Sequence, residues 1–443
     1  MSGESRPATD HLPLHGVRIL DLTMVWAGPS GVRLLADMGA EVIKVESARS
    51  WDMLRSLHFL SGPPEGWWDK AAYFNHNNRN KYGITLDLQA GRGRELALRL
   101  VAMSDVVFEN YRADVIGKLG LDYDDLRAVK ADIILVSMPS HGKTGPEAHH
   151  VAYGTNVEQL SGLASVTGYP GMGPHKSPIA YGDPNAGAIA AAAALAALLH
   201  REQTRRGDAP GEGQHVEVAQ WEAMVGNIGE FVLGWQMRLR DEAGADIEAW
   251  SEEQRMGNRH RSRLQGVYAC APAGESDSDA WVAVSVGTDA EFAALCGVIG
   301  RAELVRDARY ADVVSRRRNQ DELDAIIGEW TRGRTQDEAA RALQAAGVSA
   351  APVLKLQRLL ADEHLRARGF WETVAHPTAG EWDMEGPVWR MSRTPAHVRL
   401  PAPRFGEHNG WVLGELLGLS ADEIAELEAS GVTAREPSAG VHS

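Results

Sequence analysis

Two hydrophobic periods alternate along the first half of this chain, and the switches between them draw a β/α series. Val17, Ile19 and Leu20 form a strand-type apolar run, Val32, Leu34, Leu35 and Met38 recur at helical spacing, and Val42, Ile43 and Val45 form a second run. Residues Gly16 to Glu46 therefore predict a compact βαβ unit with a parallel, right-handed crossover. The series continues with strands at Ile84 to Leu88, Asp105 to Glu109 and Ile133 to Met138, and a helix over Arg94 to Met103. An Ala-rich helix over Asn185 to Arg201 follows, then a short strand at Val216 to Val218 and a long helix from Trp221 to Leu239. Strand-like Gly266 to Cys270 and Trp281 to Val286, with helices about Glu291 to Ile299, Asp321 to Trp330 and Thr335 to Ala346, have a different rhythm.

The pattern predicts an α/β protein: a Rossmann-like large domain with a parallel sheet, plus a smaller α+β domain. At 443 residues, two folding units are expected. The large domain is placed at 12–240, an acidic linker at 241–263 and the small domain at 264–346. Residues 347–433 return to the large domain, starting with Val348 to Val353, and 1–11 and 434–443 are loose termini. No repeat of fixed period is visible.

Lys and Arg number 45 against 60 Asp and Glu, a net charge of −15 that opposes binding to nucleic acid or an anionic membrane. The two cysteines form no Cys-x-x-Cys, and no secretory leader or apolar run near membrane-spanning length is read, so a cytoplasmic enzyme is expected. The first strand meets its helix through Ala27-Gly28-Pro29-Ser30-Gly31, without the Gly-x-Gly-x-x-Gly fingerprint, so a bound NAD does not follow.

Two stretches carry candidate chemistry. Tyr181-Gly182-Asp183-Pro184-Asn185-Ala186-Gly187 opens the Ala-rich helix. Asp183 can be its N-cap with Pro184 at N1, which needs no function, or a carboxylate left accessible by Gly182 and able to act as a nucleophile. Elsewhere, Asn77 to Lys81, Glu109 to Arg112 and Lys118 to Gly120 flank strand ends, where open α/β sheets bind ligands. There Lys81, Arg112 and Lys118 would gather positive charge for phosphate groups and Tyr111 could pack on a base, or the cations are simply solvated.

These pieces together resemble the class III coenzyme A transferases, a family that includes carnitine and formyl-CoA transferases and the α-methylacyl-CoA racemases. The resemblance is carried by LDLTMVWAGPSGVRLLADMGAEVIKVE, NRNKYGITLDL, DVVFENYRADVIGKLGLDYDDL, Thr144-Gly145-Pro146, GDPNAG, GEGQHVEVAQWEA and APRFGEHNGWVLGELLGLSADEI, in that order over nearly the whole chain. It implies reversible CoA transfer from an acyl-CoA to a free carboxylic acid, through an aspartyl mixed anhydride and an aspartyl-CoA thioester at Asp183. It implies no tightly bound cofactor and no metal, coenzyme A entering with the substrate, and an interlocked-ring homodimer as the self-partner. The implied CoA contacts are Val25, Asn80, Lys81, Asn110, Tyr111, Arg112, Lys118 and Leu119; Ser47 stands where some relatives have an arginine, with Arg49 a substitute. Trp26, Tyr153 and Gly154 fall near the acyl group.

Racemases of the family carry a His-Asp pair where this chain has Tyr153-Gly154. A tyrosine is a poor base near neutral pH, so transfer is favoured, with His149 and His150 keeping a racemase reading open. A CoA-binding protein without turnover is the remaining alternative. Formyl-CoA transferases have glutamine and glutamate at the positions of Trp26 and Gly154, so oxalate and formyl-CoA are not expected. Trp26, Trp67 and Trp68 suit a bulky or aromatic acid, and Arg259, His260 and Arg261 a second carboxylate.

Overall fold

The computed structural model describes residues 7–56, 65–237, 255–274 and 279–438. Its first unit comprises the residues up to Ala164, Lys176–Met237 and those from Leu365 onward. Its strands β1 (Arg18–Asp21), β2 (Glu41–Glu46), β3 (Lys81–Thr85), β4 (Val106–Glu109), β5 (Ile134–Ser137) and β6 (His215–Glu217) form one sheet in the order β3-β2-β1-β4-β5-β6. All neighbours pair in parallel. This is the doubly wound order, and its topological switch lies between β1 and β4. The predicted α/β class is therefore observed. The apolar runs seen in sequence are strands buried on both faces, as parallel sheets require.

Helices α1 (Ala27–Asp37), α2 (Ala72–Asn78), α3 (Gly91–Ala102), α4 (Val115–Lys118), α5 (Tyr123–Val129), α6 (Gly154–Leu160), α7 (Leu163–Val166), α8 (Gly182–Thr204), α9 (Gln220–Gly226) and α10 (Gly229–Met237) follow in chain order. One face of the sheet is covered by a core of Leu20, Ile43, Leu96, Leu100 and Leu413, the other by Ile19, Val32, Leu35, Phe108, Ala190 and Ala194. On that second face α1 and α8 meet backbone to backbone. A Cβ on Gly31 would fall 2.4 Å from the Gly187 carbonyl oxygen, and one on Gly187 would fall 2.5 Å from that of Ala27. Glycine is needed at both positions for the first turns of the two helices to lie side by side.

The second unit comprises Ser165–His175 and the stretch that ends at His364. Strands β7 (Leu264–Ala269), β8 (Trp281–Val286) and β9 (Ser349–Pro352) form its antiparallel sheet, over a core that includes Val284, Phe292, Tyr310, Ile327 and Leu343.

Several expectations are corrected. Val348 to Val353 does not begin the return to the large unit, because β9 pairs with β8; the return comes at Leu365 and brings a hairpin of β10 (Trp371–His376) and β11 (Gly380–Glu385). Residues 165–175, assigned to the large domain, group with the second unit. The long helix from Trp221 is two helices, broken at Asn227 and Ile228. Residue 434 is not loose: the Ala434 carbonyl accepts bonds from Thr85 Oγ1 (2.6 Å) and Asn409 Nδ2 (3.1 Å). Within the proposed linker, 241–254 lie outside the described residues, as do 1–6 and 439–443 of the termini. Contrary to the reading of the apolar runs, α8 has 23 residues and contains an 18-residue stretch of mean hydropathy 1.3, long and apolar enough to cross a membrane. It packs against α1 and the sheet, with Ala186, Ala190 and Ala194 fully buried.

Candidate active site

Asp183 lies in the first turn of α8. The helix already begins at Gly182 with Tyr181 at its N-cap, so Asp183 is two positions too far along to cap it, and the capping reading fails. Asp183 is 8% exposed, and among the described residues its side chain takes part in no hydrogen bond or ion pair. Burial alone pushes its carboxyl up to about 7.

Gly154 faces it. A Cβ there would fall 1.7 Å from Asp183 Oδ2 and 2.8 Å from the Ala180 Cβ, so no larger residue fits opposite the carboxylate as it stands. Helix α6, which Gly154 opens, also holds the approach to α8: buried Glu158 accepts the backbone N–H of Ser177 (2.9 Å) and its hydroxyl (3.2 Å). Tyr153 precedes Gly154 and is 57% exposed. The amino ends of α6 and α8 thus converge on Asp183, and their dipoles favour its anionic form.

Trp26 is half-buried just before α1 and meets the Tyr73 ring edge to face, centroids 5.1 Å apart. Burial, and then the charge of Asp183, raise the Tyr73 phenol well above its usual range, so it stays protonated near the carboxylate. Tyr73 was not singled out in the sequence, where nothing distinguishes it from a packing aromatic.

At the switch point, Asn110 follows β4 and brackets the loop after β1. Its Oδ1 accepts the Met24 N–H (2.8 Å) and its Nδ2 donates to the Met24 carbonyl (2.7 Å). Val25 follows with φ +66°, a left-handed conformation that a β-branched side chain rarely adopts. Its N–H is held by Asp52 Oδ1 (3.1 Å), which also caps residue 54. Beside this loop, Tyr111 and Leu119 pack on the first core, while Arg112 and Lys118 are exposed and share Asp114, Arg112 Nε lying 2.7 Å from Asp114 Oδ1.

Asn80 and Lys81 do not join this group. Lys81 begins β3 and Asn80 immediately precedes it; both are buried, with their side chains taken up by structural partners. Asn80 Oδ1 accepts the N–H groups of Arg399 (2.7 Å) and Leu400 (2.9 Å) while its Nδ2 donates to Asp37 (2.7 Å). Lys81 is fully buried and spends its three ammonium protons on Asp21 Oδ2 (2.9 Å), the Pro29 carbonyl (3.0 Å) and Asn78 Oδ1 (3.0 Å). Burial pushes it down to about 8 despite Asp21. No proton remains for a phosphate, so the expected cluster of three cations reduces to Arg112 and Lys118.

Other expectations are corrected as well. Arg259 is engaged by Asp324 (2.7 Å) and Asp321 within the second unit, not free for a substrate carboxylate. Trp67 packs edge-on against Trp51 at 5.1 Å and Trp68 at 5.7 Å. Ser47 closes a turn by accepting the Ser50 N–H (2.9 Å), and exposed Arg49 faces Asp87 at 3.9 Å. His149 and His150 are exposed, and no basic group contributes to the position of Asp183. At the carboxyl end of β4, Glu109 is buried and pushed up to about 7, chiefly by burial and partly offset by the Ser137 hydroxyl; Ser137 Oγ in turn lies 2.9 Å from His215 Nε2.

A doubly wound sheet with a buried, unpaired carboxylate beside its switch point suits acyl transfer, and the comparisons agree. The sequence profile described as CoA-transferase family III matches residues 14–409. The chain belongs to that family. Among family III enzymes, it is 32% identical to the succinyl-CoA–D-citramalate CoA-transferase of Chloroflexus aurantiacus, over 95% of this chain and 98% of that one. It is also 32% identical to the succinate–glutarate CoA-transferase of Agrobacterium fabrum (91% and 96%) and 31% to the formyl-CoA:oxalate CoA-transferase of Streptomyces coelicolor (95% and 98%). Of solved structures, a CAIB/BAIF family protein from Brucella suis matches with a TM-score of 0.77 at 29% identity, over 91% of this chain and 99% of that one.

Proposed function

We propose that this CoA-transferase moves coenzyme A reversibly from an acyl-CoA to a free dicarboxylic acid, with Asp183 as the nucleophile. The observation that carries the reading is the buried Asp183 carboxylate, without a bonding partner and facing the one residue, Gly154, that leaves its oxygen open. The carboxylate attacks the thioester carbonyl, giving a mixed anhydride and the CoA thiolate. The thiolate attacks the aspartyl carbonyl, forming aspartyl-CoA and releasing the donor acid. The acceptor carboxylate then displaces CoA to form a second anhydride, whose acceptor carbonyl the thiolate attacks, freeing Asp183. Overall one thioester replaces another of similar energy, so no ATP is required. Burial strips water from the nucleophile and protects both intermediates from hydrolysis.

Val25, Asn110, Tyr111, Arg112, Lys118 and Leu119 are assigned to coenzyme A, and Trp26, Tyr153 and Gly154 to the acyl group. D-citramalate, glutarate and oxalate, in the names of the relatives above, are all dicarboxylic acids, which supports that acceptor class over a bulky aromatic acid. The enzyme is read as a cytoplasmic homodimer: α10 buries none of its side chains, leaving Leu233, Trp235 and Met237 each more than half exposed, as expected of a face covered by a second copy.

Incubation with succinyl-CoA and other acyl-CoAs, followed by intact-mass spectrometry, tests the mechanism. A CoA adduct on the wild type that hydroxylamine removes, and that Asp183→Ala lacks, is expected; no adduct from any donor overturns it. Since only ionised Asp183 attacks, kcat/KM should rise with pH and level off above about 7.

A further inference from the structure

The loop between β5 and α6 brings together three groups that the transfer chemistry does not use. Gly142 (φ +88°) and Gly145 (φ +95°) reverse the chain, and the His150 N–H closes a turn on the Glu147 carbonyl (2.8 Å). Lys143 ties the loop down, its N–H to Glu217 (2.7 Å) and its ammonium to Asp122 (2.9 Å). As a result one ligand-type atom each from His141, Glu147 and His150 lies within 4.8 Å of the others. The His150 Nδ1 to Glu147 Oε2 distance is 3.8 Å, and the two imidazoles meet edge to face with centroids 5.7 Å apart.

We propose that His141, Glu147 and His150 form a binding site for a divalent transition-metal ion of the zinc class. Two imidazoles and a carboxylate are a ligand set that favours zinc, nickel or copper over magnesium or calcium. Metal–ligand bonds of about 2.0–2.1 Å in a tetrahedron place ligand atoms roughly 3.3 Å apart. The separations here exceed that by about 1.5 Å at most, a closure that rotation of the partly exposed Glu147 and His150 side chains provides. His141 is already oriented: its Nδ1 lies 2.9 Å from Ser140 Oγ and its ring packs on Trp221 at 5.6 Å. A metal on Nε2 would select the tautomer in which Nδ1–H donates to the Ser140 hydroxyl, the outer-sphere arrangement common to metal-bound histidines. Three protein ligands leave a fourth position for water. An ion held there would brace the loop that runs into Tyr153 and Gly154, opposite Asp183.

The test is calorimetric titration of the full-length, chelator-treated protein with ZnCl2, alongside MgCl2 and CaCl2, and melting curves with and without zinc. Saturable zinc binding at one ion per chain, with a raised melting midpoint and no magnesium or calcium binding, is expected. His141→Ala, Glu147→Gln and His150→Ala should each weaken binding about 10–100-fold, while His200→Ala, at the exposed pair with Glu212, should not. Melting curves without metal establish that each variant is folded. Absence of zinc binding by the wild type, or binding that survives His141→Ala/His150→Ala, overturns the proposal.

Discussion

Asp183→Asn should make the protein inactive and more stable, with a stability gain that depends on pH. The replacement is nearly isosteric and removes only the charge. Burial displaces the Asp183 carboxyl from 3.8 to about 7. At about 1.4 kcal/mol for each pH unit, this sets an upper bound of about 4 kcal/mol on the cost of holding the ionised group in the fold. The dipoles of α6 and α8 offset part of it, about 0.3–1 kcal/mol each. The sign follows from proton counting. Below pH 3.8 the carboxyl is protonated in both states and nothing is lost. Between 3.8 and about 7 the unfolded chain releases the proton while the folded one keeps it, so wild-type stability falls as pH rises. Above about 7 both are ionised and the cost is constant. Asp183→Asn lacks this dependence, so its melting midpoint should pull away from that of the wild type between pH 5 and 7, by a few degrees, then run parallel. Differential scanning calorimetry of both proteins at pH 5, 6, 7 and 8 reads the gap directly. A gap independent of pH, or one that narrows as pH rises, would refute the claim that the folded carboxylate is held without a compensating partner.

Three further substitutions separate residues that hold the fold from residues that meet substrate. Lys81→Met strands Asp21 without its main partner and should cost about 3–5 kcal/mol of stability, read as a lower melting midpoint; a fully stable variant whose KM for acyl-CoA rises would restore the phosphate-binding role that the geometry denies. Gly154→Ala puts a methyl group against the nucleophile and should lower kcat by about 100-fold or more with folding intact by circular dichroism; activity within twofold of wild type would mean that Asp183 moves freely. Asn110→Ala releases both polar groups of Met24 and should cost about 1–3 kcal/mol while raising KM for acyl-CoA more than it lowers kcat, measured by steady-state kinetics.

What could be read from the sequence follows the range of the interactions. The sheet was legible because strands buried on both faces are continuous apolar runs, and β1, β2, β4 and β5 fall within a residue or two of their predicted places. Asp183 stood out because Gly-Asp-Pro at a helix start is a local pattern, but the pattern left cap and nucleophile open, and the approach of Gly154 to its carboxylate came into view only with the fold. The bonding of Asn80 and Lys81 was not, since Lys81 meets Asp21 from 60 residues away and Asn80 binds a segment more than 300 residues on. A basic residue beside Asn-Arg-Asn reads as a phosphate ligand until its partner is in view. The fate of β9 was hidden for the same reason: Val348 to Val353 is apolar enough for either sheet, and only pairing with β8 decides.

The two strained positions differ in what holds them, a difference that residue type did not reveal. Among the described residues outside glycine, only Val25 and Asn80 have a positive φ, +66° and +61°. Both were expected to contact coenzyme A, yet their strain has different causes. Asparagine visits the left-handed region at little cost, and Asn80 is locked by its own side chain to residues 399 and 400, so structure alone accounts for it. Valine has no such excuse, and the conformation costs on the order of 1–3 kcal/mol. Asp52 and Asn110 hold the turn from outside, which fixes its conformation without explaining why a valine stands there. The turn lies at the switch point of the sheet, one residue before Trp26 and the first turn of α1, which Gly31 and Gly187 lock against the helix that carries Asp183. Strain at that position, braced by buried Asp52 and partly buried Asn110, supports the proposed role of Val25 in holding coenzyme A.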